Sequence, residues 1–284
     1  MRITKGVIAA AGKGTRFLPA TKAVPKELLP VVDKPIIQYI VEEFVAAGIK
    51  DIAIVTAGDA SIVAKHFQTN PDLEAHLQAS GKTRLLREIR SITSMARITF
   101  LRQRGPYGNG TPCLVAKKFI GRQPFVYAFG DDLVLAPSSF TKQMCAAYRQ
   151  QPGIYLGAQR VPTREAHKYG ILEIGKDKRT NEVAGIVEKP ARVHGQTALA
   201  NIGRFILPPE IFPILSKKRL GAGSELWLVD AIQALIRSGH RAFYKKIERG
   251  EWYTTGDPIN YLAAVRAYAL ARPDLQHRAK HIFK

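Results

Sequence analysis

Arg2-Ile3-Thr4-Lys5-Gly6-Val7-Ile8-Ala9-Ala10 runs without a break into Ala11-Gly12-Lys13-Gly14-Thr15-Arg16, and the reading of this junction decides the fold. Arg2 to Ala10 reads as a buried strand, because a short apolar run closed by a glycine turn suits a strand covered on both faces. Gly12 and Gly14 carry no Cβ, so backbone N–H groups just past the strand lie open to phosphate oxygens. Two known phosphate loops fail the test. G-x-G-x-x-G would need glycine at position 17, where Phe17 stands, and G-x-x-x-x-G-K-[ST] does not occur. After the glycines comes a dense basic run, Lys13, Arg16, Lys22, Lys26 and Lys34, against only Glu27 and Asp33. Such a run suits several phosphates at once, although the two glycines alone would equally suit a plain turn before a solvated loop.

Outward from this junction, apolar runs alternate with helical spacing. Ile36 to Ala47 places Ile37, Ile40, Val41, Phe44 and Val45 on one helical face, with Gly48 as its stop. Strands are predicted at Asp51–Val55, Ile98–Leu101, Pro124–Gly130, Ile154–Val161, Val183–Val187 and Leu199–Leu207. Helices are predicted at Ala60–Phe67, Thr83–Ser91, Ser139–Gln150, Leu226–Arg237 and Ile259–Leu270, with a helix start in Thr111–Lys118. This alternation predicts an α/β fold, a Rossmann-like three-layer sandwich with a mixed, mainly parallel central sheet. No repeat or Pro/Ser-rich linker interrupts the chain, so one domain is expected over residues 1–284, with a frayed basic tail at 272–284. Asp131 and Asp132 end the apolar strand after Gly130, at the edge of such a sheet where ligands bind.

The chain has 284 residues, 46% hydrophobic and 23% charged, which allows a sizeable core and argues against a wholly disordered chain. Its 43 Lys and Arg against 23 Asp and Glu leave a formal net charge of +20, so anionic partners are expected. Nucleic acid, acidic membrane and phosphorylated small molecules all belong to that class. No nucleic-acid motif is present and the aromatics do not interleave with a basic stripe, so nucleic acid is set aside. Cys113 and Cys145, the only cysteines, form neither a zinc pair nor a disulfide framework. Val7–Ala11 is too short for a signal-peptide core, and no stretch approaches the roughly 20 apolar residues of a membrane span. A soluble cytoplasmic protein with no membrane partner is expected.

Ala10-Ala11-Gly12-Lys13-Gly14-Thr15-Arg16-Phe17-Leu18-Pro19, then Lys22-Ala23-Val24-Pro25-Lys26-Glu27-Leu28-Leu29-Pro30 and Asp33-Lys34-Pro35, are far more specific than the glycine pair. The pattern continues in order through Gln103, Gly108-Asn109-Gly110, Gly130-Asp131-Asp132, Tyr169-Gly170, Val187-Glu188-Lys189-Pro190, Gly203-Arg204-Phe205 and Gly221-Ala222-Gly223. Over residues 2–270 the chain resembles the nucleotidyltransferases that make nucleotide sugars, and within them the uridylyl-transferring branch. Ala-Ala-Gly and Lys-Glu-Leu look like that branch, whereas thymidylyl relatives tend to show Gly-Gly-x-Gly and Lys-Gln-Leu. The resemblance implies Mg²⁺-dependent attack by glucose 1-phosphate on the α-phosphorus of UTP, giving UDP-glucose and pyrophosphate. It implies a nucleotide-binding half at about 2–130, a sugar-binding half at about 131–270, and a homo-oligomer, dimer or tetramer.

The same resemblance assigns roles. Arg16 would hold the β and γ phosphates, Lys26 and Lys189 the nucleotide and sugar phosphates, and Asp131 the Mg²⁺, for which a hard oxygen ligand is required. Asp132 would be a helper or a loop cap, since neighbours in an extended segment point apart. Ala10, Ala11, Gly12, Gly14, Thr15, Glu27, Gln103 and Gly108 would surround the nucleotide, with the Gln103 amide suited to an imide edge. Gly170, Glu188 and Asn201 would surround the glucose hydroxyls. Two stretches depart from the pattern. Gly108-Asn109-Gly110-Thr111-Pro112 replaces the branch's usual Gly-Leu-Gly-His-Ala, and Thr254 stands where many relatives carry a second metal aspartate. Asp131 with phosphates and water, Asp257 swinging in, or a weaker metal site would each answer the second departure. Asp257 before Pro258 also suits a helix N-cap. Besides the uridylyl reading, a thymidylyltransferase or an inactive sugar-nucleotide sensor remains open.

Overall fold

The computed structural model describes residues 2–58, 60–175, 177 and 180–283. β1 (Lys5–Ala10) leads through three single 3-10 turns and a hairpin of β2 (Pro30–Val31) and β3 (Lys34–Pro35) into α1 (Ile36–Ala46). β4 (Asp51–Thr56) is followed by α2 (Ser61–Phe67), α3 (Pro71–Ala79) and α4 (Thr83–Ser94), then β5 (Arg97–Arg102), α5 (Gly110–Val115) and α6 (Lys117–Ile120). β6 (Phe125–Phe129), β7 (Asp132–Leu135), α7 (Phe140–Gln150), β8 (Ile154–Pro162), β9 (Gly170–Ile174), β10 (Val183–Glu188) and β11 (Thr197–Leu207) come next. The chain closes with α8 (Ile211–Ser216), α9 (Leu228–Arg237), β12 (Ala242–Lys246), β13 (Glu251–Thr254), α10 (Pro258–Ala271) and α11 (Gln276–Ile282).

The main sheet runs β10-β9-β11-β6-β1-β4-β5, with β8 beside β11 and β12 beside β8. Its β6-β1-β4-β5 part is parallel, in the register Val7 to Tyr127 and to Ala53, and β11 turns antiparallel against β6. The parallel strands read as unbroken apolar runs because both faces are covered. On one face Ile8 and Ile54 pack under Ile37, Ile40 and Phe44 of α1. On the other, Val7, Val55 and Tyr127 pack under Cys113, Phe212, Leu228 and Ile232. The sandwich therefore has three layers, as the alternation of the sequence requires. β7 leaves this sheet at Gly130 and pairs instead with β13, Asp132 opposite Thr254.

Several expectations move. The ladder begins at Lys5 rather than Arg2. The polar stretch after Phe67 folds into two helices, the first capped by Asn70, whose Oδ1 accepts from Leu73 N at 3.1 Å ahead of Pro71. Within the tail expected to fray, residues 276–282 form α11, which docks on α10 with Ala279 buried; Lys284 lies outside the described residues. Arg272 anchors its start, paired with Asp33 and with Asp274.

Candidate active site

Two cavities of about 510 and 380 Å³ open at the C-terminal ends of β1 and β6. The smaller is lined by Ala11, Gly12, Gln103, Tyr107 and Gly108, the larger by Lys168, Tyr169, Glu188, Asn201, Trp252 and Asp257 among others. Arg16, Asn109, Phe129, Asp131, Lys189 and Trp227 line both, so the cavities are two ends of one cleft. Ala10, Gly14, Thr15, Lys26, Glu27 and Gly170 line neither. Ala10, Glu27 and Gly170 are buried behind the wall, Gly14 and Lys26 are half-buried beside it, and Thr15 is exposed on the loop. Lys26 pairs with Asp131 from beneath, and a Cβ on Gly12 would come within 3.4 Å of its Nζ. Glu27, 2% exposed, is packed under Gly130. Gly14 closes the turn, its carbonyl accepting from Phe17 N at 2.9 Å and Thr21 Oγ1 at 2.7 Å.

Asp131 is held from several directions. Its carbonyl accepts from Thr255 N at 2.7 Å and Thr255 Oγ1 at 2.8 Å, and its carboxylate meets the Lys26 ammonium. Burial opposes ionisation of Asp131, but the Lys26 charge and hydrogen bond outweigh it and hold the carboxyl below its usual range. Burial likewise opposes the Lys26 charge, and Asp131 and Glu27 overcome it, so Lys26 stays protonated. Asp132 behaves differently: 6% exposed and beside a charged neighbour, it is pushed up to about 7. Its Oδ1 accepts from Trp252 Nε1 at 2.9 Å. Gly203 makes room for it, since a Cβ there would stand 2.2 Å from Asp132 Oδ2 and its φ of +58° is left-handed.

Arg16 Nη1, Asp131 Oδ2 and Thr254 Oγ1 all lie 3.4 Å from the point a Cβ on Gly256 would occupy, which gathers them round one spot. Among the described residues no group of three or more His, Cys, Asp or Glu could hold a metal ion. The donor set nevertheless fits Mg²⁺, which keeps several waters and needs only one or two carboxylates beside substrate phosphates. Asp257 caps α10 with both oxygens, Oδ1 accepting from Asn260 N at 3.0 Å and Oδ2 from Asn260 Nδ2 at 2.6 Å.

At the other end, Glu188 pairs in register with Gly170, whose missing side chain leaves space for the carboxylate, 3.0 Å from where a Cβ would sit. Burial pushes the Glu188 carboxyl up, against the pull of Lys189. Lys189 has a left-handed φ of 45°, which turns its ammonium onto the Trp227 ring, 4.8 Å from the centroid. Asn201 is 8% exposed, and its Oδ1 has no hydrogen-bond partner among the described residues. A buried acceptor left open at a cavity wall is an invitation to a ligand hydroxyl or amide.

Sequence reasoning did not single out Trp227 or Thr255, and it quoted Asn109 and Arg204 within its pattern without giving either a role. The helix expected from Leu226 starts at Leu228, because Leu226 is tied as an extended residue, N to Tyr107 O and O to Gly110 N, both at 2.8 Å. That leaves Trp227 extended and facing the cleft. Asn109, in the departing Gly108-Asn109-Gly110 stretch, accepts from Leu228 N at 2.8 Å through Oδ1, and its carbonyl accepts from Tyr127 Oη at 2.6 Å. The departure is therefore a brace between α5 and α9. A tryptophan just after Gly221-Ala222-Gly223, one of only two in the chain, was the signal available.

The sequence profile of the nucleotidyl transferase family matches residues 5–270. A UTP–glucose-1-phosphate uridylyltransferase of Bacillus subtilis strain 168 is 41% identical over 276 residues, 97% of this chain and 94% of its own. A UDP-glucose pyrophosphorylase crystallised with UDP-glucose superposes with a TM-score of 0.84 at 35% identity, over 95% of this chain and 100% of the other. The UTP-bound enzyme of Acinetobacter baumannii superposes with 0.89 at 32%, over 99% and 98%. A cleft at the strand ends, a basic loop entering it and a match along nearly the whole chain agree: the protein belongs to the nucleotidyl transferase family.

Proposed function

We propose that the chain transfers a uridylyl group from UTP to glucose 1-phosphate, giving UDP-glucose and pyrophosphate. The observation that carries this reading is the shared seam: Arg16, Asp131 and Lys189 stand where a nucleotide-sized cavity meets one walled by Glu188 and Asn201. A phosphate oxygen of the sugar forms a bond to the α-phosphorus of UTP while the α–β bridging bond breaks and its electrons leave with pyrophosphate. Phosphate is already a nucleophile at neutral pH, so positioning and neutralisation of charge dominate the catalysis.

In this reading Ala11 and Gly12 let the base approach the backbone, and the Gln103 amide reads its edge. Gly108 forms the wall of that pocket, Ala10, Gly14 and Glu27 hold the loop's shape, and exposed Thr15 stands on the loop itself, open to the triphosphate. Arg16 takes the departing β and γ phosphates, a role suited to a planar fork of donors. Lys189 draws the sugar phosphate inward, and Glu188 and Asn201 accept from glucose hydroxyls, with Gly170 leaving room. Lys26 keeps Asp131 ionised. Mg²⁺, bound by Asp131 and substrate phosphates, would supply charge neutralisation at the triphosphate.

The test is pyrophosphate release with Mg²⁺, glucose 1-phosphate and either UTP or dTTP, the sugar nucleotide being identified by chromatography. Turnover preferring UTP is expected, with kcat falling at least about 100-fold in Asp131→Ala. No turnover with either nucleotide in folded protein would overturn the reading. Thr254→Asp, which adds a carboxylate beside Asp131, is expected to lower the Mg²⁺ concentration needed for half-maximal rate.

A further inference from the structure

Arg204, in the Gly203-Arg204-Phe205 stretch, lines neither half of the cleft, yet among the described residues it is the largest side chain buried completely. A guanidinium taken wholly out of water persists only where its donors are matched. Here every branch is used. Nη2 donates to Asp132 O at 2.7 Å and to Glu43 Oε2 at 3.0 Å, and Nε to Glu43 Oε1 at 3.3 Å. Nη1 donates to Gly203 O at 3.3 Å and Phe129 O at 3.4 Å. Glu43, on α1, is itself fixed by α7, its Oε1 accepting from Thr141 N at 3.0 Å and Thr141 Oγ1 at 2.6 Å.

The carbonyls of Phe129 and Asp132 bracket Gly130-Asp131. At this turn the chain leaves the main sheet, the last bond to β1 being Gly130 N to Ala9 O at 2.9 Å, and joins β13 only from Asp132 onward. Asp131 thus lies between two ladders and belongs to neither. Thr255 grips its carbonyl from one side. Arg204 grips the flanking carbonyls from the other. We propose that Arg204, oriented by Glu43, is a positioning residue that fixes the Gly130–Asp132 turn so that the Asp131 carboxylate faces the reacting phosphates. The inference rests on the uridylyl-transfer reading. A lysine would keep the charge for Glu43 but has no planar fork to span the two carbonyls, so the turn would be free to shift, and a displacement near 1 Å at a reacting group can cost about 100-fold in rate.

The experiment is a double-mutant cycle of Arg204→Lys with Asp131→Asn, read as kcat, KM for UTP and melting temperature, with kinetics taken well below the melting point. Arg204→Lys is expected to lower kcat by about 10- to 100-fold with KM for UTP within about 3-fold of the parent. In the Asp131→Asn background the same change should cost little further, because the group being positioned is already lost. Retention of kcat within about 2-fold by folded Arg204→Lys, or an equal loss in both backgrounds, would reduce Arg204 to a packing residue. Should Arg204→Lys fail to fold, Glu43→Gln takes its place in the same cycle, and full kcat in that folded variant overturns the proposal. An inactive parent protein, in contrast, overturns the uridylyl reading on which the proposal stands.

Discussion

Glu27 is a carboxyl sealed under Gly130, and burial pushes it up to about 7 against the pull of Lys26. Starting from an ordinary value of 4.5, the folded chain binds more protons than the unfolded chain across that window, so this group lowers stability as pH rises from about 4.5 to 7. Glu27→Gln keeps the shape and removes the titration. Thermal melts should therefore show the variant gaining on the parent between pH 5 and pH 8, and a gap that does not change with pH would contradict the burial argument. Trp227 offers a second test at this scale. Its ring holds the Lys189 ammonium at 4.8 Å, an attraction of about 0.5–2 kcal/mol. Trp227→Leu should raise KM for glucose 1-phosphate several-fold, while Trp227→Tyr, which keeps a ring face, should retain most of the affinity in steady-state assays.

Asp257 sets the start of α10, and both of its oxygens are spent on Asn260. Asp257→Ala should cost about 1 kcal/mol in urea melts, and Asp257→Ser should restore most of it, as expected for an N-cap. Neither change should alter the Mg²⁺ requirement, which separates capping from metal binding. Elements of this kind were legible in the sequence where one local signal sufficed: the apolar runs of β1, β4, β6 and β11, and the Asp-Pro start of α10. β7, β9, β12 and β13 were not, because strands of four or five residues owe their existence to distant partners; β13 pairs with a strand more than a hundred residues earlier. α11 is a similar case, since a polar, basic septet docks only because α10 and the Arg272–Asp33 pair stand ready to receive it. Within the candidate site the loop residues and Asp131 could be read from their neighbours in sequence. Trp227 and Arg204 could not, because their meaning lies in carbonyls and rings that the fold brings to them.

Over the whole molecule the formal charge is +20, yet the larger cavity sets Arg16, Lys168 and Lys189 against Asp131, Asp132, Glu188 and Asp257. The excess positive charge therefore lies on the outside of the cleft, where it acts on approaching anions at long range rather than on bound ones. Raising ionic strength from about 0.05 to 0.5 M should raise KM for UTP while leaving kcat nearly constant, because screening shortens the reach of the field to a few ångströms. A fall in kcat of equal size would place the excess charge in the chemistry instead. One strand organises what lies inside. β11 pairs through Arg204–Leu207 with β6, whose end carries Asp131, and through Thr197–Asn201 with β8, and it presents Asn201 to the other cavity. The ladder with β8 breaks between Asn201 and Phe205, where Gly203 takes its left-handed φ, so the supports of the two cavities are neighbouring segments of one strand joined through a bend. A bend at that place turns Asn201 toward one cavity while Arg204, next to Gly203 along the chain, faces the Asp131 turn, and a side chain at Gly203 would strike Asp132 and shift both at once.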